Sequence, residues 1–105
     1  MRKSVFIKKK GEYTRVNSDE VRYIKSDGDY STIHLEGGRS ILTSRTPLKD
    51  LITLFDNPTF FRVHKSYIVN IEKINRINAD GVFIDDQLIP VSTTKKKMLT
   101  ERLKI

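Results

Sequence analysis

Turn-forming pairs interrupt this chain at short intervals, and they limit it to a fold built largely from short strands. The segments between the turns are rich in Val, Ile, Phe and Tyr, which favour extended structure. Asp27-Gly28, Gly37-Gly38 and Asp80-Gly81 are such pairs, and glycine accepts the positive φ that tight turns need. We therefore predict a mostly β fold that begins with a hairpin over residues 1–15 and includes a strand at residues 74–77.

Two stretches are predicted to be helical instead. The first has Thr46 as a cap, Pro47 in its first turn and Asp50 near the positive end of the helix dipole. Its apolar residues recur at helical spacing and give one apolar face: Leu48, Leu51, Ile52 and Phe55. A second helix is predicted to begin near Ser92 and to continue toward the C terminus.

Length and composition exclude several classes of protein. A chain of 105 residues fits one domain, predicted over residues 1–105. It has no cysteine and only two histidines, so disulfides, thiolate catalysis and a His-rich metal site are excluded. The N terminus lacks a long apolar run, so neither a signal peptide nor a membrane span is predicted. His64 and Ser66 lie close together, but nothing selects an acid to orient them, so we predict no enzyme, cofactor or metal.

The charge of the chain favours an anionic partner. Twenty Lys and Arg residues against thirteen Asp and Glu residues give a formal net charge of +7. Residues 1–56 hold 11 basic and 8 acidic residues, and residues 57–105 hold 9 and 5, so neither part is a basic tail. A folded surface must carry the excess. Nucleic acid or another anionic surface is the expected partner, and a merely basic globular domain is the alternative.

The segment Phe60–Asn70 combines core residues with polar groups. Arg62 either pairs with a carboxylate or holds a phosphate, and His64 is either half-buried and satisfied or a ligand. Lys65 is most easily displayed outward, and Asn70 is either a buried cap or turn residue or a base reader. The remaining members are predicted to anchor the segment in a core: Phe60, Phe61, Tyr67, Ile68 and Val69.

Two other segments are candidates for contact with an anion. Ser92 is a plausible cap followed by Lys95, Lys96 and Lys97, whose charges oppose the helix dipole unless an anion lies there. A solvated helix start is the alternative. The segment Ser26–Ser31 is either a bare hairpin tip or a tip that reaches into a groove. An RNA-binding β domain is a weaker interpretation, because the aromatic residues mostly fall where a core would place them.

The Phe60–Asn70 segment closely resembles the signature of the LytTR DNA-binding domain family. The resemblance extends from about residue 16 to residue 103, and flanking motifs agree in order and separation. The residues that match the signature are Phe60, Arg62, His64, Lys65, Ser66, Val69, Asn70 and Ile74.

This resemblance implies a fold and a function. The fold would consist of elongated antiparallel β-sheets with one helix between sheets and a short C-terminal helix. The function would be that of a bacterial, cytoplasmic transcriptional regulator, a response-regulator output module. Such domains bind direct repeats in double-stranded promoter DNA through loops in successive major grooves, here as a pair of domains on DNA. A receiver domain commonly precedes the module, and this chain has no room for one.

By resemblance, three places contact DNA: the early loop, the residues after the signature histidine, and the start of the last helix. The sequence departs from the family at Thr93 and Thr94, where arginine is common, so Lys95 or Lys96 would supply the charge. That departure leaves an alternative, a protein-interaction or regulatory module that has lost specific DNA binding. The predicted DNA-contacting residues are Asp29, Tyr30, Ser31, Arg62, His64, Lys65, Ser66, Thr93, Thr94, Lys95 and Lys96.

Overall fold

The computed structural model describes residues 3–43 and 45–103, which form ten strands and two α-helices. Residues 1, 2, 44, 104 and 105, including both ends of the predicted 1–105 domain, lie outside the described residues. The elements are β1 Ser4–Lys9, β2 Glu12–Asn17, β3 Val21–Asp27, β4 Tyr30–Leu35, β5 Ser40–Leu42, α1 Leu48–Phe55, β6 Phe60–His64, β7 Tyr67–Asn70, β8 Arg76–Asn78, β9 Gly81–Ile84, β10 Gln87–Ile89 and α2 Thr93–Leu103.

The strands form three antiparallel sheets along an elongated body. The central sheet has five strands in the order β5-β4-β3-β7-β6, flanked by the two-stranded β1–β2 hairpin and the three-stranded β10-β9-β8 sheet. The described residues extend over 42 × 27 × 24 Å. The predicted fold class, mostly β with elongated antiparallel sheets, is therefore confirmed.

Helix α1 lies between the β1–β2 hairpin and one face of the central sheet. Its buried face meets apolar side chains from both, and Phe55 contacts Phe60 edge-on with ring centroids 4.8 Å apart. This confirms the prediction of one helix between sheets. We refer to this cluster as the α1 core, and its buried members are Val5, Ile7, Val16, Val21, Ile24, Ile33, Leu35, Leu48, Leu51, Phe55, Phe60 and Ile68.

The opposite face of the central sheet is covered by α2 and the three-stranded sheet. Phe61 packs at the margin of this second cluster but is only partly buried, so its predicted role in anchoring the segment is weaker than that of Phe60. Cations of Lys95 and Arg102 lie 5.9 and 5.8 Å from the centre of its ring. We refer to the cluster as the α2 core, and its buried members are Tyr23, Val63, Val69, Val82, Ile84, Ile89 and Leu99.

Two predicted boundaries are displaced, and the capping of the adjacent helical turn explains both. The carbonyl of Pro47 accepts hydrogen bonds from Asp50 and Leu51, so Pro47, not Thr46, is the N-cap of α1. The side chain of Asn70 accepts the Glu72 backbone N–H at 3.1 Å and caps a 3₁₀ turn. That turn delays the predicted strand at residues 74–77 until Arg76–Asn78.

Candidate nucleic-acid interface

The turn between β6 and β7 presents Lys65 to solvent and is held by two side chains at the end of β6. Arg62 Nη2 donates to the Lys65 carbonyl at 2.6 Å, and His64 Nδ1 accepts from the Ser66 backbone N–H at 3.1 Å. These bonds give Arg62 and His64 partners inside the turn itself, whereas the Lys65 side chain is exposed. Arg62 therefore pairs with a carbonyl of its own turn, and its other N–H groups remain able to bind a phosphate.

The half-buried His64 fixes its own tautomer in this arrangement. Nδ1 accepts the hydrogen bond from the Ser66 backbone N–H, which leaves Nε2 as the ring nitrogen available to donate. The ring also meets Tyr67 edge-on, with centroids 5.8 Å apart. The His64 ring thus holds the turn through its Nδ1 acceptor and its contact with Tyr67.

The loop between β3 and β4 lies beside this turn. The Ser26 N–H donates to the Ser66 carbonyl at 2.8 Å, which joins β3 to the turn just before the loop begins. In the loop, Gly28 has φ 63, Asp29 is exposed and Tyr30 is 45% exposed. Asp29 and Tyr30 therefore lie at the surface on one side of the turn.

Ser31, the second residue of β4, does not reach the surface. It is 2% exposed, and its backbone N–H donates to Thr43 Oγ1 at 3.3 Å. Its hydroxyl donates to the Thr46 carbonyl at 3.4 Å, and its carbonyl accepts from the Thr43 N–H at 2.8 Å. Ser31 thus ties the loop to the segment that leads into α1.

The start of α2 lies on the other side of the β6–β7 turn. The Ser92 N–H donates to the Val63 carbonyl at 3.0 Å, one residue before His64. The Ser92 hydroxyl accepts from the Lys95 N–H at 3.3 Å and its carbonyl accepts from the Lys96 N–H at 2.8 Å, so Ser92 is the predicted cap.

Thr93 and Thr94 are exposed in the first turn of α2. Among residues 3–43 and 45–103, no acceptor is present for their backbone N–H groups, as is usual for the first residues of a helix. Lys95 lies over the Phe61 ring, and Lys96, the next residue of α2, is partly exposed. This helix start combines amide donors with cations, which suits a phosphate oxygen.

Two backbone hydrogen bonds therefore bring the three predicted contact segments together. The β6–β7 hairpin is the middle element: Ser66 in its turn is bonded to Ser26 at the end of β3, and Val63 of β6 is bonded to Ser92 before α2. Lys25 was not among the predicted contacts but lies near this surface, since it pairs in register with Tyr67 and places its ammonium 5.9 Å from that ring. Its position two residues after Tyr23, on the same face of β3, was the signal that could have identified it. Asn70 is not at this surface, because it is buried and donates to the Val21 carbonyl at 2.9 Å.

His34 gives the central sheet a pH dependence. Its ring stacks on Tyr23 with centroids 4.3 Å apart. Burial lowers the pKa of His34 below its ordinary value of 6.5, and the nearby cations of Arg22 and Lys25 lower it further. The folded protein therefore takes up this proton at a lower pH than the unfolded chain does.

We expect the free energy of unfolding to decrease on acidification for this reason. The loss begins as the pH falls through the ordinary histidine value and continues until the pH reaches the lowered pKa of the folded state. His34→Phe keeps a ring for stacking on Tyr23 and cannot be protonated, so its unfolding free energy should fall less over the same range. Urea unfolding of both proteins between about pH 5 and 7 measures the difference, and parallel curves would contradict this assignment to His34.

Comparison with known proteins gives three findings. A family model, the LytTr DNA-binding domain, matches residues 11–104. A response regulatory protein of Vibrio cholerae serotype O1, otherwise uncharacterised, is 30% identical over 81 residues, which cover 70% of this chain but only 31% of that protein. In Bacillus cereus, the LytTr DNA-binding domain of a protein assigned as a methyl-accepting/DNA response regulator superposes with a TM-score of 0.78 at 20% identity, with full coverage of both chains.

Neither helix within residues 3–43 and 45–103 is long and apolar enough to cross a membrane. In the same ranges, no three His, Cys, Asp or Glu side chains cluster in a way that could hold a metal ion.

Proposed function

Because the chain belongs to the LytTR family of DNA-binding domains, we propose that residues 1–105 act as one sequence-specific DNA-binding domain of a bacterial transcriptional regulator. The observation that supports this most is the hydrogen-bonded linkage of the β3–β4 loop, the β6–β7 turn and the start of α2. A surface of three linked segments can follow a duplex groove and the backbones beside it. The function is one of binding, without catalysis.

Within this proposal the linked residues divide into contacts and supports. Lys65 and Ser66 contact the duplex from the central turn, and Asp29 and Tyr30 reach it from the neighbouring loop. Thr93, Thr94 and Lys96 hold a phosphate at the start of α2, with Lys95 nearby. The supports are Ser31, Arg62 and His64, whose polar groups are used to hold these segments in place.

The finer parts of the proposal concern arrangement on DNA. Two domains occupy direct repeats in a promoter, and their loops enter successive major grooves. The chain spans about a third of the Vibrio cholerae protein that it matches, which leaves length in that relative for other domains. We propose that a receiver domain regulates the module, and that it acts in the cytoplasm, where bacterial promoters are.

Fluorescence anisotropy with double-stranded DNA tests the proposal directly. A selection of bound fragments from genomic DNA first supplies the preferred sequence, which is then compared with a scrambled duplex over a range of salt concentrations. We expect the preferred duplex to bind roughly 10³-fold or more tightly than the scrambled one, with an affinity that falls as salt increases. Equal affinity for both duplexes would instead favour the protein-interaction module that the exposed Thr93 and Thr94 allow.

A further inference from the structure

We propose that the outward face of the β1–β2 hairpin docks an acidic segment of another protein, one that alternates carboxylate and apolar side chains. This surface lies outside the proposed DNA interface. We refer to it as the hairpin outer face, and its residues are Ser4, Phe6, Lys8, Tyr13, Arg15 and Asn17.

The strand register sets which side chains share this face. Phe6 pairs with Arg15 and Lys8 pairs with Tyr13, whereas the intervening Val5, Ile7 and Val16 point into the α1 core. Phe6 is 51% exposed and Tyr13 is 66% exposed. The hairpin therefore buries one side and presents two large aromatic rings to solvent on the other. Aromatic residues and arginine are the types enriched at the centres of protein interfaces.

Charge on this face identifies the partner as acidic. It carries the cations of Lys8 and Arg15 and no carboxylate. The Arg15 guanidinium lies 4.5 Å from the centre of the Phe6 ring, and its Nη1 donates to Ser4 Oγ at 3.0 Å. These two contacts hold the guanidinium in place, so less side-chain entropy is lost when its remaining N–H groups bind a carboxylate.

The edges of the hairpin favour an extended protein segment over a single-stranded nucleic acid. Within the part of the chain that the structure describes, β1 and β2 pair only with each other, so each has an edge where a further strand can be added. A single-stranded nucleic acid needs bare ring faces on which bases stack, and Arg15 occupies one face of Phe6. A protein strand instead places alternate side chains against Phe6, Tyr13 and the cations.

The location of the hairpin keeps this surface separate from the proposed DNA contacts. The hairpin packs on α1, whereas α2 covers the opposite face of the central sheet. The inference thus does not depend on the proposed function, and DNA and protein segment are expected to bind at the same time.

A titration monitored by two-dimensional ¹⁵N NMR tests the inference on the whole chain. The probe is a short peptide of alternating Glu and Leu, with a Lys-Leu peptide as the charge-reversed control and single-stranded oligothymidine as the nucleic-acid control. We expect the Glu-Leu peptide to shift the amide signals of Phe6, Lys8, Tyr13 and Arg15, and neither control to do so. Phe6→Ser combined with Tyr13→Ser should weaken peptide binding roughly tenfold or more, as should Arg15→Gln.

The same variants separate this inference from the proposed function. Both should retain a dispersed spectrum and bind double-stranded DNA within about twofold of the unaltered protein, since they lie outside the proposed interface. Lys65→Ala should leave peptide binding unchanged. Absence of shifts with the Glu-Leu peptide, shifts confined to other surfaces, or preferential binding of oligothymidine at the hairpin would each overturn the inference.

Discussion

Phe55→Ala is expected to lower the free energy of unfolding by about 3–5 kcal/mol. Phe55 is 0% exposed and contacts Phe60 edge-on, with the two ring centroids 4.8 Å apart. The α1 core around it is built from three separate parts, the hairpin, the helix and the central sheet. The cavity can close only if one of these parts moves, so little of the lost packing energy is recovered. Urea unfolding followed by circular dichroism measures the change.

Phe61→Ala is the matched control for this prediction. The same side chain is removed, but Phe61 is partly buried at the margin of the α2 core, with Lys95 and Arg102 over its ring. Its surroundings include flexible cationic side chains and solvent, so we expect less than half of the loss seen for Phe55. Equal losses of unfolding free energy at the two positions would mean that helix α1 does not organise the α1 core.

The strands and helices were predictable because their signals are local. Gly28 and Gly37 have the positive φ that their turns implied, and Ser92 caps α2 as its hydroxyl and its position suggested. The displaced boundaries at Pro47 and Asn70 depend on which backbone group accepts a hydrogen bond. The identity of that acceptor depends on tertiary structure, because the side chain of Asn70 also donates to the carbonyl of Val21, 49 residues away.

The interface was predictable in its exposed parts and less so in its supports. Lys65 is exposed in the two-residue turn between β6 and β7, and outward display was what the sequence predicted for it. The burial of Ser31 could also have been predicted. Ser31, Ile33 and Leu35 are spaced two residues apart on one strand, so they share its inward face. By contrast, no sequence signal predicted the bond from Arg62 to the Lys65 carbonyl, because any backbone carbonyl or carboxylate would satisfy a guanidinium equally well. The proximity of the three segments depends on strand order, which pattern reasoning does not supply.

Lys65→Ala is expected to weaken binding to double-stranded DNA roughly tenfold or more without lowering the stability of the domain. The side chain is exposed, while the hydrogen bonds that hold its turn come from Arg62, His64 and the backbone, and these remain. Anisotropy titrations and urea unfolding measure the two quantities. Lys3→Ala is the matched control: it removes the same charge from an exposed lysine next to Ser18, at the opposite end of β3 from the interface.

The salt dependence of the Lys65→Ala titrations then distinguishes the two kinds of contact that this side chain can make. Loss of a phosphate contact weakens all sequences alike and reduces the slope of log affinity against log salt by about one. Loss of a base contact lowers the ratio of the affinities for the preferred and scrambled duplexes, because only that contact reads sequence. The free-energy difference between the two duplexes should shrink by about 1–3 kcal/mol. If Lys3→Ala and Lys65→Ala weakened binding equally, the effect would come from net charge alone, and the β6–β7 turn would not be the centre of the interface.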